Sequence, residues 1–309
     1  MATRVVRATC PVVVGIVLAF ALPSLRAGLV QQRSGLPAGV QVERDIEYAR
    51  LGDRPLRLDL YVPERAERPL PLVVWIHDGG WRAGNKRNCR LLWLTGRGYA
   101  VASVEYRLST EALFPAQIHD CKGAVRWLRA HATEYGLDAE RFAVAGASAG
   151  GHLAALLGVS AGVKELEGSV GGNSAVSSRV KAVVDFFGPT DLVHWINSPE
   201  GERINRPGSP VALLLGGLPS KKIDLARLAS PVTHVTRDDP PILIVHGSAD
   251  PVVPVQQSTR LAERYREAGL TAVLHIIEGA RHGGPEFDAP PVRRLVLSFL
   301  NEHLRGKKE

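Results

Sequence analysis

Ser148 stands at the centre of Gly146-Ala147-Ser148-Ala149-Gly150, between two stretches of different character. Arg141-Phe142-Ala143-Val144-Ala145 before it reads as a short buried strand, and Gly151 to Leu157 after it reads as a helix. A serine at such a strand-to-helix corner is held in a strained backbone that only small neighbours tolerate, with its hydroxyl projecting above the sheet. That placement suits a nucleophile. The five-residue pattern alone arises easily in a chain with 31 glycines, so the flanking strand and helix carry the inference.

A serine hydroxyl is a weak nucleophile near neutral pH and needs a base in hydrogen-bond reach, itself oriented by a carboxylate. On a parallel sheet the partners follow in the order serine, acid, histidine, each beyond the carboxyl end of a later strand. Asp250 fits the acid, because it follows the apolar run Ile242-Leu243-Ile244-Val245 and precedes Pro251. His282 fits the base, in the glycine-rich loop beyond the strand Ala272 to Ile277. The chain has ten histidines, so the rivals need reasons. His246 and His275 fall in or at the ends of strands, where a hydrogen-bonded structural histidine is the default. His152 leaves from the helix one turn after Ser148, and His77 suits bracing the loop it opens. Asp238 and Asp239 are reserve acids, but they precede their strand and lie at its wrong end.

Attack on a carbonyl also needs donors for the oxyanion that forms. His77-Asp78-Gly79-Gly80-Trp81 follows an apolar strand ending at Ile76, so its backbone N–H groups can face the serine. Gly79 and Gly80 carry no side chain to obstruct a substrate, and the N–H of Ala149 completes the set at a helix N-terminus. Each such donor is typically worth on the order of 10² to 10³ in rate. A Gly-Gly turn alone would be unremarkable; beside the serine, acid and histidine it gains a role.

The elements that must position these residues follow an α/β pattern. Val42 to Leu51 and Leu56 to Tyr61 alternate across Gly52-Asp53 as an antiparallel hairpin. Beyond it, apolar strands at 72–76, 100–105, 141–145, 180–186, 242–245 and 272–277 alternate with helices at 88–97, 115–135, 151–157, 255–268 and 290–304. That rhythm predicts a mostly parallel central sheet with helices on both faces. Residues 161–178, rich in glycine and serine, and 193–239, irregular with several prolines, break it. Long insertions in compact domains usually line or cover a site, so 193–239 reads as a small cap.

Arg4 and Arg7 precede an apolar run from Pro11 to Leu22, and no acidic residue appears before Glu43. This is the layout of a signal peptide over residues 1–27, cleaved near 21 or 27, with a linker at 28–40 and the main domain at 41–309. The run is short of the roughly 20 apolar residues a membrane span needs, so no stable span is expected after processing. A secreted or periplasmic protein follows. The net charge of +7 is spread without a basic helix or aromatic-interleaved surface, which argues against a nucleic-acid partner. Nothing in the sequence sets an oligomeric state. With Cys10 removed, Cys89 and Cys121 form either a disulfide or two free thiols, and no cysteine has metal-ligand spacing.

From about Leu58 to Leu304 the chain resembles the hormone-sensitive-lipase-like and bacterial feruloyl-esterase-like carboxylesterases of the α/β-hydrolase superfamily. The resemblance rests on His77 to Trp81, Tyr106-Arg107-Leu108, Phe114-Pro115-Ala116, Gly146 to Gly150, Phe187 to Asp191, His246 to Asp250 and His282-Gly283. It implies a Ser148–His282–Asp250 triad, an oxyanion hole from Gly79, Gly80 and Ala149, and no metal or organic cofactor. One departure stands out: the family usually has glycine where this chain has Asp78. A carboxylate there disfavours a developing negative charge, unless its side chain turns to solvent or pairs with Arg82. Trp81, Tyr106, Phe114, Phe187, Trp195 and Leu214 are the candidate substrate-binding residues, each with core packing as the competing role. The expected substrate is a short-to-medium acyl ester, or an acetyl or feruloyl ester on plant polysaccharide. A peptidase or amidase of the prolyl-oligopeptidase type and a non-catalytic hydrolase-fold binding protein are the alternatives.

Overall fold

The computed structural model describes residues 37–306, so the expected signal segment and all but the end of the linker lie outside the described residues. The strands are β1 (Val40–Leu51), β2 (Arg54–Pro63), β3 (Leu70–Ile76), β4 (Ala100–Val104), β5 (Leu137–Ala147), β6 (Ala182–Phe186), β7 (Ile242–Gly247) and β8 (Ala272–Ile277). They form one eight-stranded sheet in the order β1-β2-β4-β3-β5-β6-β7-β8. β1 and β2 pair antiparallel across the expected hairpin, β2 meets β4 antiparallel, and every other neighbour is parallel. β3, β4, β6 and β7 are buried along their whole length. Strands covered on both faces must be apolar throughout, which is why these read as continuous runs rather than alternations.

The helices are α1 (Ala116–Ala130), α2 (Ala149–Val159), α3 (Lys164–Glu167), α4 (Leu192–Ile196), α5 (Pro210–Leu215), α6 (Ile223–Leu228), α7 (Gln256–Glu267) and α8 (Pro290–Leu304). Alternate residues of β3 feed two cores. Leu72, Val74 and Ile76 pack with Ile118, Val125, Leu153 and Leu261 on one face. Val73 and Trp75 pack with Leu94, Val296, Phe299 and Leu300 on the other. Helices therefore cover both faces of the sheet, as the alternating pattern predicts. The helix expected at 88–97 is a 3₁₀ turn at Leu92–Arg97, and that expected at 115–135 stops at Ala130.

Cys121 belongs to the first core and Cys89 packs against the second, so the sheet lies between them. Both are free thiols.

The two irregular stretches are tied down by specific contacts. The buried Nζ of Lys122 donates to Ser160 O and Glu167 Oε1, both at 2.7 Å, and Arg126 donates to the carbonyls of Glu167 and Val170. These bonds pin residues 160–170, including the one-turn α3, onto α1. Between β6 and β7 lie α4, α5 and α6 with short 3₁₀ turns. Asp191 caps α4 and Ser209 caps α5, each accepting from the N–H three residues on. This insertion leans on three loops at the carboxyl ends of the strands. Pro210 packs beside Gly80, Leu214 O accepts from Phe114 N at 2.9 Å, and Arg203 donates to Pro251 O.

Candidate active site

Ser148 joins β5 to α2 with φ 53°, a left-handed conformation that is costly for a residue with a side chain. Its neighbours explain how the corner closes. A Cβ on Gly146 would lie 2.1 Å from Gly150 O, and a Cβ on Gly150 would lie 2.1 Å from Ile76 O. Only glycine fits either position, and the second contact presses the start of α2 against the end of β3. Ser148 N donates to Phe186 O at 2.8 Å, which fastens the corner to β6.

Three side chains from three loops meet there. His282 Nε2 lies 2.9 Å from Ser148 Oγ, and His282 Nδ1 lies 2.6 Å from Asp250 Oδ2. Asp250 Oδ1 accepts from the N–H groups of Val252 and Val253 at 2.7 and 3.0 Å. Burial pushes the Asp250 carboxyl up, but the hydrogen bonds from His246, His282 and Val253 prevail and hold it well below the usual carboxylate range. An ionised Asp250 accepts from Nδ1–H and leaves the Nε2 lone pair facing the serine hydroxyl. Such a relay can remove the serine proton and later return it. The structure thus brings together Ser148, Asp250 and His282.

The Gly79–Gly80 loop lies on the far side of the α2 N-terminus from the base loop. Gly79 has φ 115°, and its carbonyl accepts from Arg82 and Ala83 N–H in a tight turn. Among the described residues, the N–H groups of Gly79, Gly80 and Ala149 have no hydrogen-bond acceptor. Donors left free beside a serine hydroxyl can bind an oxyanion.

The BD-FAE family profile matches residues 58–265, a span that holds the Gly79–Gly80 loop, the serine corner and Asp250. The chain belongs to the BD-FAE family. Its architecture is that of the α/β-hydrolases. Esterase LipC of Mycobacterium tuberculosis is 32% identical over 268 residues, covering 84% of this chain and 65% of LipC. Isoprenylcysteine alpha-carbonyl methylesterase ICME of Arabidopsis thaliana is 29% identical, covering 87% of this chain and 60% of its own. A truncated carbohydrate esterase from gut microbiota superposes with a TM-score of 0.77 at 34% identity, covering 86% of this chain and 96% of that one. The chain thus spans between about a third and two thirds of the curated relatives it matches, and nearly all of that solved esterase.

In this BD-FAE chain Asp78 pairs with Arg90, not with Arg82: Arg90 Nη2 lies 3.2 Å from Asp78 Oδ2. Arg90 approaches from the other side of the mouth, where it also borders Gly283 next to His282.

The six expected pocket residues are all buried, at 0 to 4% exposure for Trp81, Tyr106, Phe114, Phe187, Trp195 and Leu214. Their contacts divide them. Phe187 meets the His282 ring edge-on at 4.8 Å and forms the wall against the base. Tyr106 stacks on His77 at 4.3 Å and donates to His77 O at 3.2 Å, so it braces the start of the Gly79–Gly80 loop from behind. Trp81 Nε1 donates to His152 Nδ1 at 3.2 Å, and His152 Nε2–H reaches Ala229 O at 2.6 Å. Phe114, Leu214 and Trp195 join the first core, where the insertion meets the sheet. Trp81 and Tyr106 belong to that core as well, and Phe187 to the second, so all six candidates pack in a core. Beyond Phe187 a narrow cleft is lined by Arg90, Trp93, Phe187, Phe287 and Val296 among others.

Two histidines do more than their positions suggest. Burial drives His152 down to about 4, partly offset by the Ala229 carbonyl, so it is neutral and links Trp81, after the Gly79–Gly80 loop, to the insertion. His246, fully buried at the end of β7, places Nε2 3.2 Å from Asp250 Oδ2, the same oxygen that faces His282. Among the described residues no group of three or more His, Cys, Asp or Glu is arranged to hold a metal, and no helix is long and apolar enough to cross a membrane.

Proposed function

We propose that this protein is an exported serine carboxylesterase in which Ser148, His282 and Asp250 act as a triad. The single observation that carries this is the unbroken relay of 2.9 and 2.6 Å from the Ser148 hydroxyl through His282 to Asp250. His282 Nε2 takes the Ser148 proton as Oγ attacks the ester carbonyl. Negative charge develops on the carbonyl oxygen, where the N–H groups of Gly79, Gly80 and Ala149 receive it. His282 then gives its proton to the departing alkoxide, leaving an acyl-Ser148 ester. Water enters, His282 removes its proton, and the same cycle in reverse releases the acid and restores the serine.

Several relatives and solved neighbours bear esterase names, among them a carbohydrate esterase at 34% identity. The preferred substrate class is a short-to-medium acyl ester, with acetyl or feruloyl groups on a plant polysaccharide as the natural form. Phe187, closed edge-on against the His282 ring, narrows the space beside the serine, which suits a small acyl group. Export rests on the basic and apolar residues at the N-terminus.

Hydrolysis of p-nitrophenyl acetate, butyrate and octanoate, beside the Ser148→Ala variant, tests the reading. Turnover that falls with acyl length and disappears in the variant is expected. Equal turnover in wild type and variant would overturn it, and a parallel anilide panel separates esterase from amidase.

A further inference from the structure

Asp250 serves two histidines. Its Oδ2 lies 2.6 Å from His282 Nδ1 and 3.2 Å from His246 Nε2. His246 Nε2 also lies 3.0 Å from Val253 O, so both its neighbours are acceptors and the nitrogen must carry hydrogen. On the other side of the ring, Nδ1 lies 2.6 Å from the Ser258 hydroxyl of α7, which can donate to it. The surroundings therefore fix a hydrogen on Nε2, facing Asp250. The ring is completely buried and has no access to substrate.

We propose that His246 is a positioning residue for this reaction: by donating Nε2–H to Asp250 Oδ2 it fixes the carboxylate and tempers its pull on the His282 proton. The inference rests on the triad reading above. Two donors on one oxygen share its charge, so each holds its proton less strongly toward that oxygen than it would alone. Removing the His246 donor concentrates the charge on the His282 bond, which favours imidazolium and keeps the base protonated to higher pH. The charged or titratable groups around His246 are Asp250 and His282 from the loops beyond β7 and β8, and Asp185 from β6. Burial pushes Asp185 up to about 6, with the Gly188 N–H and His246 acting in the opposite direction. Ser258 is the contact from α7, and Phe187 meets the ring edge-on at 6.5 Å.

Two amide variants separate positioning from packing. In His246→Gln the side-chain nitrogen reaches the place of Nε2 and keeps the bond to Asp250. In His246→Asn the amide ends near the place of Nδ1, keeps Ser258 and loses Asp250. The kcat/KM profile for p-nitrophenyl acetate is measured from pH 5 to 9 in both, with thermal melting as a check that each is folded. The acidic limb should move up by about half a pH unit or more in the Asn variant, with kcat down roughly tenfold and KM within twofold. In the Gln variant the limb should stay with wild type. Identical limbs in the two variants, shifted or not, would overturn the positioning role. Turnover surviving in Ser148→Ala would instead overturn the triad itself.

Discussion

Asp78 Oδ2 and Arg90 Nη2 lie 3.2 Å apart, so the carboxylate beside the Gly79–Gly80 loop carries its own counter-charge. Asp78 is 29% exposed and Arg90 45%, which places the pair at the mouth of the site and not in its depth. The charge that would oppose an oxyanion is therefore offset by a cation from the opposite wall. Removing Arg90 alone exposes the problem. A like-charge interaction across a partly solvated gap is worth on the order of 1 kcal/mol, so Arg90→Gln should slow kcat by roughly five- to tenfold. Asp78→Gly in the same chain should restore the rate. The decisive comparison is kcat in the two single variants and the double; a double variant no faster than Arg90→Gln would show that Arg90 acts by some other route.

Much of this site was legible because its residues are announced by backbone demands. Ser148 needs glycines at 146 and 150, and those are visible as letters. Asp250 and His282 follow buried strands, whose continuous apolar runs are equally visible. The partners of charged side chains were less legible. Arg82 is the nearest cation to Asp78 in sequence, yet Arg90 reaches it because residues 82–90 double back before the Leu92–Arg97 turn. The pocket aromatics share one further limit: Tyr106 and Phe187 are both large and apolar, and only their neighbours separate a brace from a wall. His152 was invisible for the same reason, since its partners Trp81 and Ala229 lie 71 and 77 residues away.

His152 also ties stability to pH in a definite direction. Its folded value is about 4, whereas the usual histidine value is 6.5. Between those values the unfolded chain binds a proton that the folded chain refuses. The stabilising contribution is thus complete above pH 6.5 and is lost as pH falls toward 4. Asp185 and Asp239, both pushed up to about 6 chiefly by burial, act in the opposite sense over part of that range. Comparison with His152→Gln cancels them, because the variant keeps both. The stability gap between wild type and variant should therefore shrink by roughly 3 kcal/mol from pH 7 to pH 4. Urea unfolding at the two pH values measures it, and a constant gap would show that His152 does not titrate with folding.

The cluster on α1 makes an asymmetric prediction. Lys122 is fully buried while Glu167 is 30% exposed, and burial lowers the lysine value despite the Glu167 partner. Removing Glu167 leaves a buried ammonium with Ser160 O as its remaining acceptor. Removing Lys122 leaves a carboxylate that still has Arg126, Ser178 and the Gly162 N–H. Breaking a buried pair from the side that strands a charge costs about 3–5 kcal/mol. Glu167→Ala should therefore destabilise well beyond Lys122→Met in chemical denaturation. Equal losses would mean that water reaches the lysine once its partner is gone.

Gly79 and Gly80 stand side by side in the loop proposed to bind the oxyanion but tolerate a methyl group very differently. A Cβ at Gly79 would lie 2.1 Å from the Ala83 carbonyl oxygen, which is backbone and part of the turn that aims the loop. At Gly80 the nearest contact is the Pro210 side chain at 3.3 Å, which a small shift of the insertion relieves. Both have positive φ, so each alanine also carries about 1 kcal/mol of backbone strain. Gly79→Ala must displace the turn, and with it the donors. Its kcat should fall by roughly 10² or more, on the scale of losing one oxyanion donor, with KM nearly unchanged. Gly80→Ala should retain kcat within about tenfold while loosening the contact between loop and insertion, read as a lower melting temperature. The reverse order, with Gly80→Ala the slower enzyme, would place the critical donor at Gly80 and make Pro210 the part of the insertion that fixes it.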